Sequence, residues 1–308
     1  MCLAHHHTPC YPRSMRVHDI AARLQSLLTH PPTPGLTSLP FGSVFCSTSH
    51  TLRSVVVLWS AAILVLSGKK TIWRGAERMQ AEPGQMFLLP SQIDIAVQNE
   101  LDPTTGHYLA LCLPFTEDMV AAAAAGCDSN NSAGLHSLES LRVDCDEALT
   151  MSVGHMLDMA RFNPQNTRLM KLCSEEILEL IASRSSALPS LWQATTTWSS
   201  RCAFLISLEP GRSWSAADIA GKLGVSERSL RRNLQEESAK FRHILQSVRL
   251  NAGLGLLQNG AANVGEVAYR CGYSSASRFA VLFKERFGVS PSEVLQYNAV
   301  PRQSLAES

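Results

Sequence analysis

The sequence predicts an α+β chain in two parts. A β-sandwich or jelly roll with accompanying helices fills the N-terminal half, and an all-α tandem helix-turn-helix fills the C-terminal third. Three observations carry this. Short β-branched and apolar runs, broken by turn residues, occupy the stretch from Phe41 to Phe115. Apolar residues at three- and four-residue steps replace them after Glu117. Between Trp214 and Phe287 the chain twice spells a helix, a tight turn and a second helix with similar internal spacing. At 308 residues there is enough chain for two separate cores.

Residues 1–14, which include His5, His6 and His7, have no periodic pattern and are expected to be a disordered leader. A metal role for the triplet would need fixed geometry and more ligands. Met15 begins a more regular amphipathic stretch, HDIAARLQSLL, and opens a domain expected over 15–115. Inside it, Gly68-Lys69-Lys70, Pro83-Gly84 and Asp102 through Gly106 punctuate strands of about five to eight residues. The longest apolar run, Val55 to Leu66, is too short to cross about 30 Å of hydrocarbon as a helix and reads as strand. Trp59, Ile63, Trp73, Phe87 and Tyr108 either line an apolar sensing cavity or simply fill the core.

Residues 116–186 read as helical and as a candidate dimerisation segment. Ala121 to Ala125 has high helix propensity and is broken by Gly126 and the polar loop Asp128–Ser132. Further on, Leu169, Leu172, Cys173, Ile177, Leu180 and Ile181 share one face, opposite Arg168, Lys171, Glu175, Glu179 and Arg184. That stripe packs either on its own sheet or on a second copy. Residues 187–198, with Pro189 and a threonine triplet nearby, read as linker, and 199–300 as the helix-turn-helix domain.

In the first helix-turn-helix, Ala216 to Leu234, the two helices pack through Ile219, Leu223, Val225, Leu230 and Leu234, with small Ala220 at their crossing. Gly224 sits where a left-handed turn residue is needed, and Ser226 can cap the second helix. The later copy, Val264 to Phe287, has Ala268, Gly272 and Ser274 in the same relative places. Phe279 lies seven residues after its glycine whereas Leu230 lies six after Gly224, so the second turn is expected to be one residue longer. The connecting helix, ILQSVRLNAGLGLLQ, carries Gly253 and Gly255, each weakening it by roughly 1 kcal/mol against Ala. Asn263 is an expected N-cap.

These residues resemble the AraC/XylS family of bacterial transcription regulators. The resemblance rests on Trp214, Asp218-Ile219-Ala220, Gly224-Val225-Ser226, Arg228, Arg232-Asn233-Leu234, Arg249-Leu250, Cys271-Gly272-Tyr273, Ser277, Phe279, Phe283-Lys284, Phe287-Gly288 and Ser290-Pro291. Ser238 stands where the family usually has Gly, and Val281 where many members have an Arg. The phrase EPGQMFLLP, from Glu82 to Pro90, is similar to the cupin-type jelly roll that such regulators often carry as a sensor. A metal-dependent cupin enzyme wants paired imidazoles in an H-x-H arrangement. His50 and His107 have no such spacing, so no metal, cofactor or catalytic residue is expected.

Charge is divided in the same sense. Residues 1–200 hold 13 Lys and Arg against 17 Asp and Glu, while residues 201–308 hold 14 against 9, a modest basic excess that fits a DNA reader. The nine cysteines include no C-x-x-C pair and read as small buried hydrophobes of a cytoplasmic protein. No secretory or membrane-spanning pattern is expected.

In a helix-turn-helix the second helix lies in the major groove. The expected DNA contacts are therefore Ser226, Glu227, Arg228, Arg231 and Arg232 in the first copy, and Ser275, Ser277 and Arg278 in the second. Family resemblance favours Arg228, Arg231 and Arg232 as base or groove contacts, although Arg232 could instead pair with Glu236. The expected function is a sequence-specific transcription regulator and not an enzyme. Its expected partners are double-stranded DNA, a possible small-molecule effector, a second copy of itself and, for an activator, RNA polymerase. Two alternatives stay open: a cupin-type enzyme with a DNA-binding tail, and a regulator answering only to a protein partner.

Overall fold

The computed structural model describes residues 15–29, 41–125, 137–185, 188, 191, 194, 196–258 and 263–297. The leader, the loop after Ala125 and half of the linker reading lie outside them. Helix α1 (Val17–Thr29) buries Ile20, Leu24 and Leu27 against β3 and α3.

Eight strands follow: β1 (Gly42–Cys46), β2 (His50–Val56), β3 (Ala61–Ser67), β4 (Lys69–Arg74), β5 (Glu77–Ala81), β6 (Gln85–Leu89), β7 (Asp94–Glu100) and β8 (Tyr108–Pro114). With β9 (Arg142–Asp144) they form two antiparallel sheets, ordered β1-β8-β3-β6-β9 and β2-β7-β4-β5. Non-consecutive neighbours in both sheets mark the crossed connections of a jelly roll. Strand β7 shows the alternation that selects its inner face, with Ile95, Val97 and Asn99 buried and Asp94 exposed.

Two expectations for this domain need correction. The apolar run Val55–Leu66 is not one strand. It holds the end of β2, a bend at residues 57–60 and most of β3, because Val57 exchanges backbone hydrogen bonds with Gln92 and Ile93 instead of continuing the ladder. Nor is Gly68-Lys69-Lys70 a turn. Gly68 alone takes the left-handed conformation, at φ +76°, and a Cβ there would meet the Glu100 carbonyl oxygen at 2.3 Å. Lys69 and Lys70 already belong to β4.

Helix α2 (Glu117–Ala125) ends where the alanine run ends. Helices α3 (Glu147–Phe162) and α4 (Thr167–Ala182) begin at Asp146 and Asn166, whose side chains accept from Leu149 and Leu169 N–H at 3.0 Å each. They pack on each other. The buried stripe of α4 is Met170, Cys173, Ser174, Ile177, Leu178 and Ile181. Leu169 and Leu180 sit at its margin, and Leu172 is 54% exposed on the other side. The stripe is thus rotated from the expected one, because Met170 and Leu178 outcompete Leu172 for the core.

The remaining helices are α5 (Trp198–Leu208), α6 (Ala216–Lys222), α7 (Glu227–Glu236), α8 (Phe241–Gln258), α9 (Val264–Arg270), α10 (Ala276–Phe287) and α11 (Pro291–Tyr297). Their cores divide unequally. Cys202, Ile206, Trp214, Ile219, Leu230, Leu234, Ile244 and Val248 form a cluster of their own. Leu250, Leu254, Leu257, Phe279, Phe283 and Phe287 are continuous with the core of the two sheets. One end of α8 therefore belongs to each. No helix among the described residues is long and apolar enough to cross a membrane.

Candidate nucleic-acid interface and buried cavity

Both helix-turn-helix units are built by local chemistry. Ser215 caps α6 in a reciprocal box with Asp218, whose carboxylate is held below the usual range by the Ser215 hydroxyl and N–H. Gly224 turns the chain at φ +70°, and Ser226 Oγ accepts from Ser229 N–H at 3.1 Å to start α7. In the second unit Asn263 caps α9 by accepting from Glu266 N–H at 2.8 Å, as expected. Gly272 turns at φ +77°, and Ser275 accepts from Arg278 N–H at 3.3 Å to start α10. The second turn is one residue longer, as the spacing predicts. The cap is Ser275, however, so Ser274 is not the counterpart of Ser226. Gly288, at φ +80°, ends α10.

The outward faces of α7 and α10 are open. Arg228, Ser277 and Arg278 are exposed, and neither arginine side chain has an ion-pair partner among the described residues. Arg231 is clamped by Glu227 through bonds of 2.8 and 2.6 Å. Arg232 lies 3.7 Å from Glu236, so the internal pair expected for it is present at long range. Ser226 and Ser275 sit at the helix mouths with their hydroxyls engaged as caps. Val281 is 57% exposed on α10, where a valine supplies no charge to a phosphate.

The two units are spaced by α8, 18 residues or about 27 Å long. Its C-terminal half is clasped by the second unit, where a Cβ on Gly253 would stand 2.8 Å from Phe279. Arg249 donates to the carbonyls of Pro210 and Arg212 at 3.0 and 2.9 Å, tying α8 to the loop after α5. Glu237, just after α7, accepts from the first N–H groups of α5 (Trp198 at 2.7 Å, Ser199 at 2.9 Å).

Contacts to the N-terminal part fall on α5, on α10 of the second unit and on α11. Trp59 meets Phe204 edge-on with centroids 4.9 Å apart, and Arg201 lies 3.4 Å from Glu117. On the other side Ser47 N–H and Oγ donate to Tyr297 O at 2.8 and 2.9 Å. His50 stacks on Tyr297 at 4.9 Å, and Arg286 lies 3.7 Å from Asp94.

A cavity of about 960 Å³ lies between the sheets, and its wall is completed by α4 and α8. Val44, Leu52, Val55, Ile63, Ile95 and Val97 make it apolar, and Leu254, Gly255 and Gln258 of α8 close one side. Of the aromatic and apolar candidates, Trp59 and Ile63 line it. Phe87 and Tyr108 are wholly buried core, and Trp73 is half-buried outside the lining. The polar floor, Lys70 and Asn99, comes from strand register. Asn99 pairs with Lys70 across β7–β4 and with His50 across β2–β7, so the three form one inward row, with His50 buried beside the lining and not part of it. Lys70 Nζ donates to Asn99 Oδ1 at 2.8 Å. Burial pulls the Lys70 and His50 pKa values down and pushes the thiol of neighbouring Cys46 up to about 11. Sequence reading missed Lys70 and Asn99. A lysine pair after a glycine looks like a turn, and only the sheet register shows that the second lysine points inward. The six described cysteines are unbridged.

Residues 219–297 match the family model described as a helix-turn-helix domain. The Salmonella typhimurium transcriptional regulator SirC is 42% identical over 80 residues, 26% of this chain and 27% of that protein. The TCP pilus virulence regulatory protein of Vibrio cholerae is 33% identical over 91 residues, 30% of this chain and 33% of that one. The aligned stretch thus spans about a third or less of these relatives. Solved structures of ToxT from Vibrio cholerae align over most of both molecules. An apo variant gives a TM-score of 0.58 at 16% identity, covering 84% of this chain and 98% of that one. An unsaturated-fatty-acid-bound form gives 0.56 at 17% identity, covering 85% and 96%. A further ToxT structure is bound to a naphthalenyl butenoic acid. The shared arrangement of two sheets followed by a helical domain is the fold expected from the sequence.

Proposed function

We propose that this chain, whose residues 219–297 are a helix-turn-helix domain of the AraC type, is a sequence-specific DNA-binding transcription regulator controlled by a small molecule in its β-domain cavity. The observation that carries the reading is the double use of α8. One half spaces two open recognition helices, and the other half forms a wall of the cavity through Leu254, Gly255 and Gln258. A ligand in the cavity touches the element that positions the second head, and this gives differential contact between states.

Arg228, Arg231 and Arg232 supply most of the base and groove contacts, with Ser277 and Arg278 reading more weakly. Ser226 and Ser275 place helix N-termini against phosphate, and Glu227 holds Arg231 until a base replaces it. The relatives named as transcriptional regulators support regulation as the outcome, and RNA polymerase is the partner if that outcome is activation. Exposed Leu172, Met151 and Phe162 on α3 and α4 support self-association as a homodimer. The protein works in the cytoplasm, where the DNA is, without catalysing a reaction.

Genome-wide mapping of the bound full-length protein tests this. Discrete sites upstream of genes, sharing a two-part motif, are expected. Coverage that follows base composition alone contradicts it.

A further inference from the structure

The two recognition helices share one register and carry opposite chemistry. Each begins on a serine cap, Ser226 for α7 and Ser275 for α10. Each then buries its fourth and eighth residues, Leu230 and Leu234 in α7 and Phe279 and Phe283 in α10. In that register Arg228 matches Ser277, Arg231 matches Ala280 and Arg232 matches Val281. Ser277 and Val281 are exposed, and Ala280 is half-buried. Charge is therefore missing from all three places where α7 presents an arginine. Arg278 lies beside this face, where α7 has Ser229, and Lys284 and Glu285 lie one turn beyond it, so charge flanks an apolar centre.

A lone exposed valine needs no explanation. Val281 differs because it stands where the other head presents a DNA-facing arginine. In the major groove guanine offers N7 and O6, adenine N7 and an amino group, and cytosine an amino group. Each of these loses water against a valine and gains no hydrogen bond in return. Thymine alone adds a methyl group there. β-Branching leaves valine one dominant rotamer in a helix, so the two methyls of Val281 stand in one place.

We infer that Val281 determines specificity in the second head by packing on the C5-methyl of a thymine, so that the bound site is chemically asymmetric, with guanine under the arginines of α7 and thymine under α10. This rests on the reading of the chain as a sequence-specific DNA-binding regulator. Ser277, one turn earlier on the same face, adds a hydroxyl that bonds to either kind of base edge.

The test uses purified full-length protein and the duplex that the wild type selects from random oligonucleotides. Each thymine of that duplex is replaced in turn by deoxyuridine, which removes the C5-methyl and nothing else. Affinity is read by fluorescence anisotropy for the wild type and for Val281→Ala, with circular dichroism to confirm folding. In the wild type at least one replacement is expected to raise Kd about three- to fivefold, the transfer of one methyl group. In Val281→Ala that penalty is expected to fall below about twofold, while any penalty elsewhere in the site stays as in the wild type. Val281→Arg, put through a fresh selection, is expected to exchange thymine for guanine at the same position. A penalty undiminished in folded Val281→Ala overturns the inference, as does a Val281→Arg variant that selects the wild-type site. The two readings fail distinguishably. A two-part site in which no thymine is sensitive to loss of its methyl keeps the regulator and refutes the role of Val281, whereas a wild type that selects no sequence refutes both.

Discussion

Replacing Arg231 by alanine separates base reading from phosphate holding. The folded chain loses little by it. The Arg231–Glu227 pair is an exposed i,i+4 bridge, with side chains 65% and 42% exposed, and such pairs contribute about 0.3–0.5 kcal/mol. The same weakness lets Arg231 swing from Glu227 to a base edge at small cost. A lost bidentate arginine–guanine contact removes about 1–3 kcal/mol of discrimination, roughly 5- to 140-fold in Kd. Arg231→Ala should therefore weaken binding to the selected site by that factor, while binding to a scrambled duplex changes by less than about threefold at matched salt. The assay is fluorescence anisotropy with both duplexes at several salt concentrations, with circular dichroism to confirm folding. Equal losses on both duplexes, with a salt slope shallower by about one unit, would show that Arg231 holds phosphate and reads nothing.

Three further predictions follow from backbone geometry and titration. Gly253 and Gly255 look equivalent in sequence, yet a Cβ on Gly253 would press on Phe279 at 2.8 Å while one on Gly255 meets nothing within 4 Å. Thermal melts should show Gly255→Ala stabilised by about 1 kcal/mol and Gly253→Ala destabilised; a gain in both would refute the close packing. Ser238 takes a left-handed conformation at φ +57°, which costs a residue with a Cβ about 1–2 kcal/mol. After glycine's extra chain entropy, Ser238→Gly should raise stability by about 0.5–1 kcal/mol in urea titrations, and a loss would contradict it. His50 is held below its usual pKa of 6.5, chiefly by burial, against the Thr48 carbonyl and with Lys70 adding repulsion. The unfolded chain then takes up the proton first, so stability held above about pH 6.5 is lost as pH falls from there toward the folded pKa. His50→Phe, which keeps a ring against Tyr297, should flatten that decline between pH 7.5 and 5.5. An unchanged slope would remove His50 from it.

What could be read from the sequence was local. Gly224, Gly272, Ser226 and Asn263 announce their turns and caps because each conformation is decided within four residues. The offset between Phe279 and Leu230 even gave the longer second turn. The outward arginines followed from helical periodicity. The cavity did not follow, because it is a product of register. Lys70, Asn99 and His50 are far apart in the chain and meet only when β2, β7 and β4 align. Trp59 and Ile63 could be named as candidates, but nothing local distinguished them from Phe87 and Tyr108, which the two sheets enclose completely. Leu172 failed for a related reason. Periodicity places it beside the apolar face, and only the competition with Met170 and Leu178 for space under α4 decides that it faces outward.

The central claim is that two recognition helices, held apart by α8, read adjacent turns of one duplex. Selection of random oligonucleotides by the purified full-length protein at moderate ionic strength tests it most directly. Two short conserved blocks with centres about 10–10.5 base pairs apart are predicted, and lengthening or shortening the spacer by half a turn should abolish enrichment. A single block indifferent to spacing, or no enriched sequence at all, contradicts it.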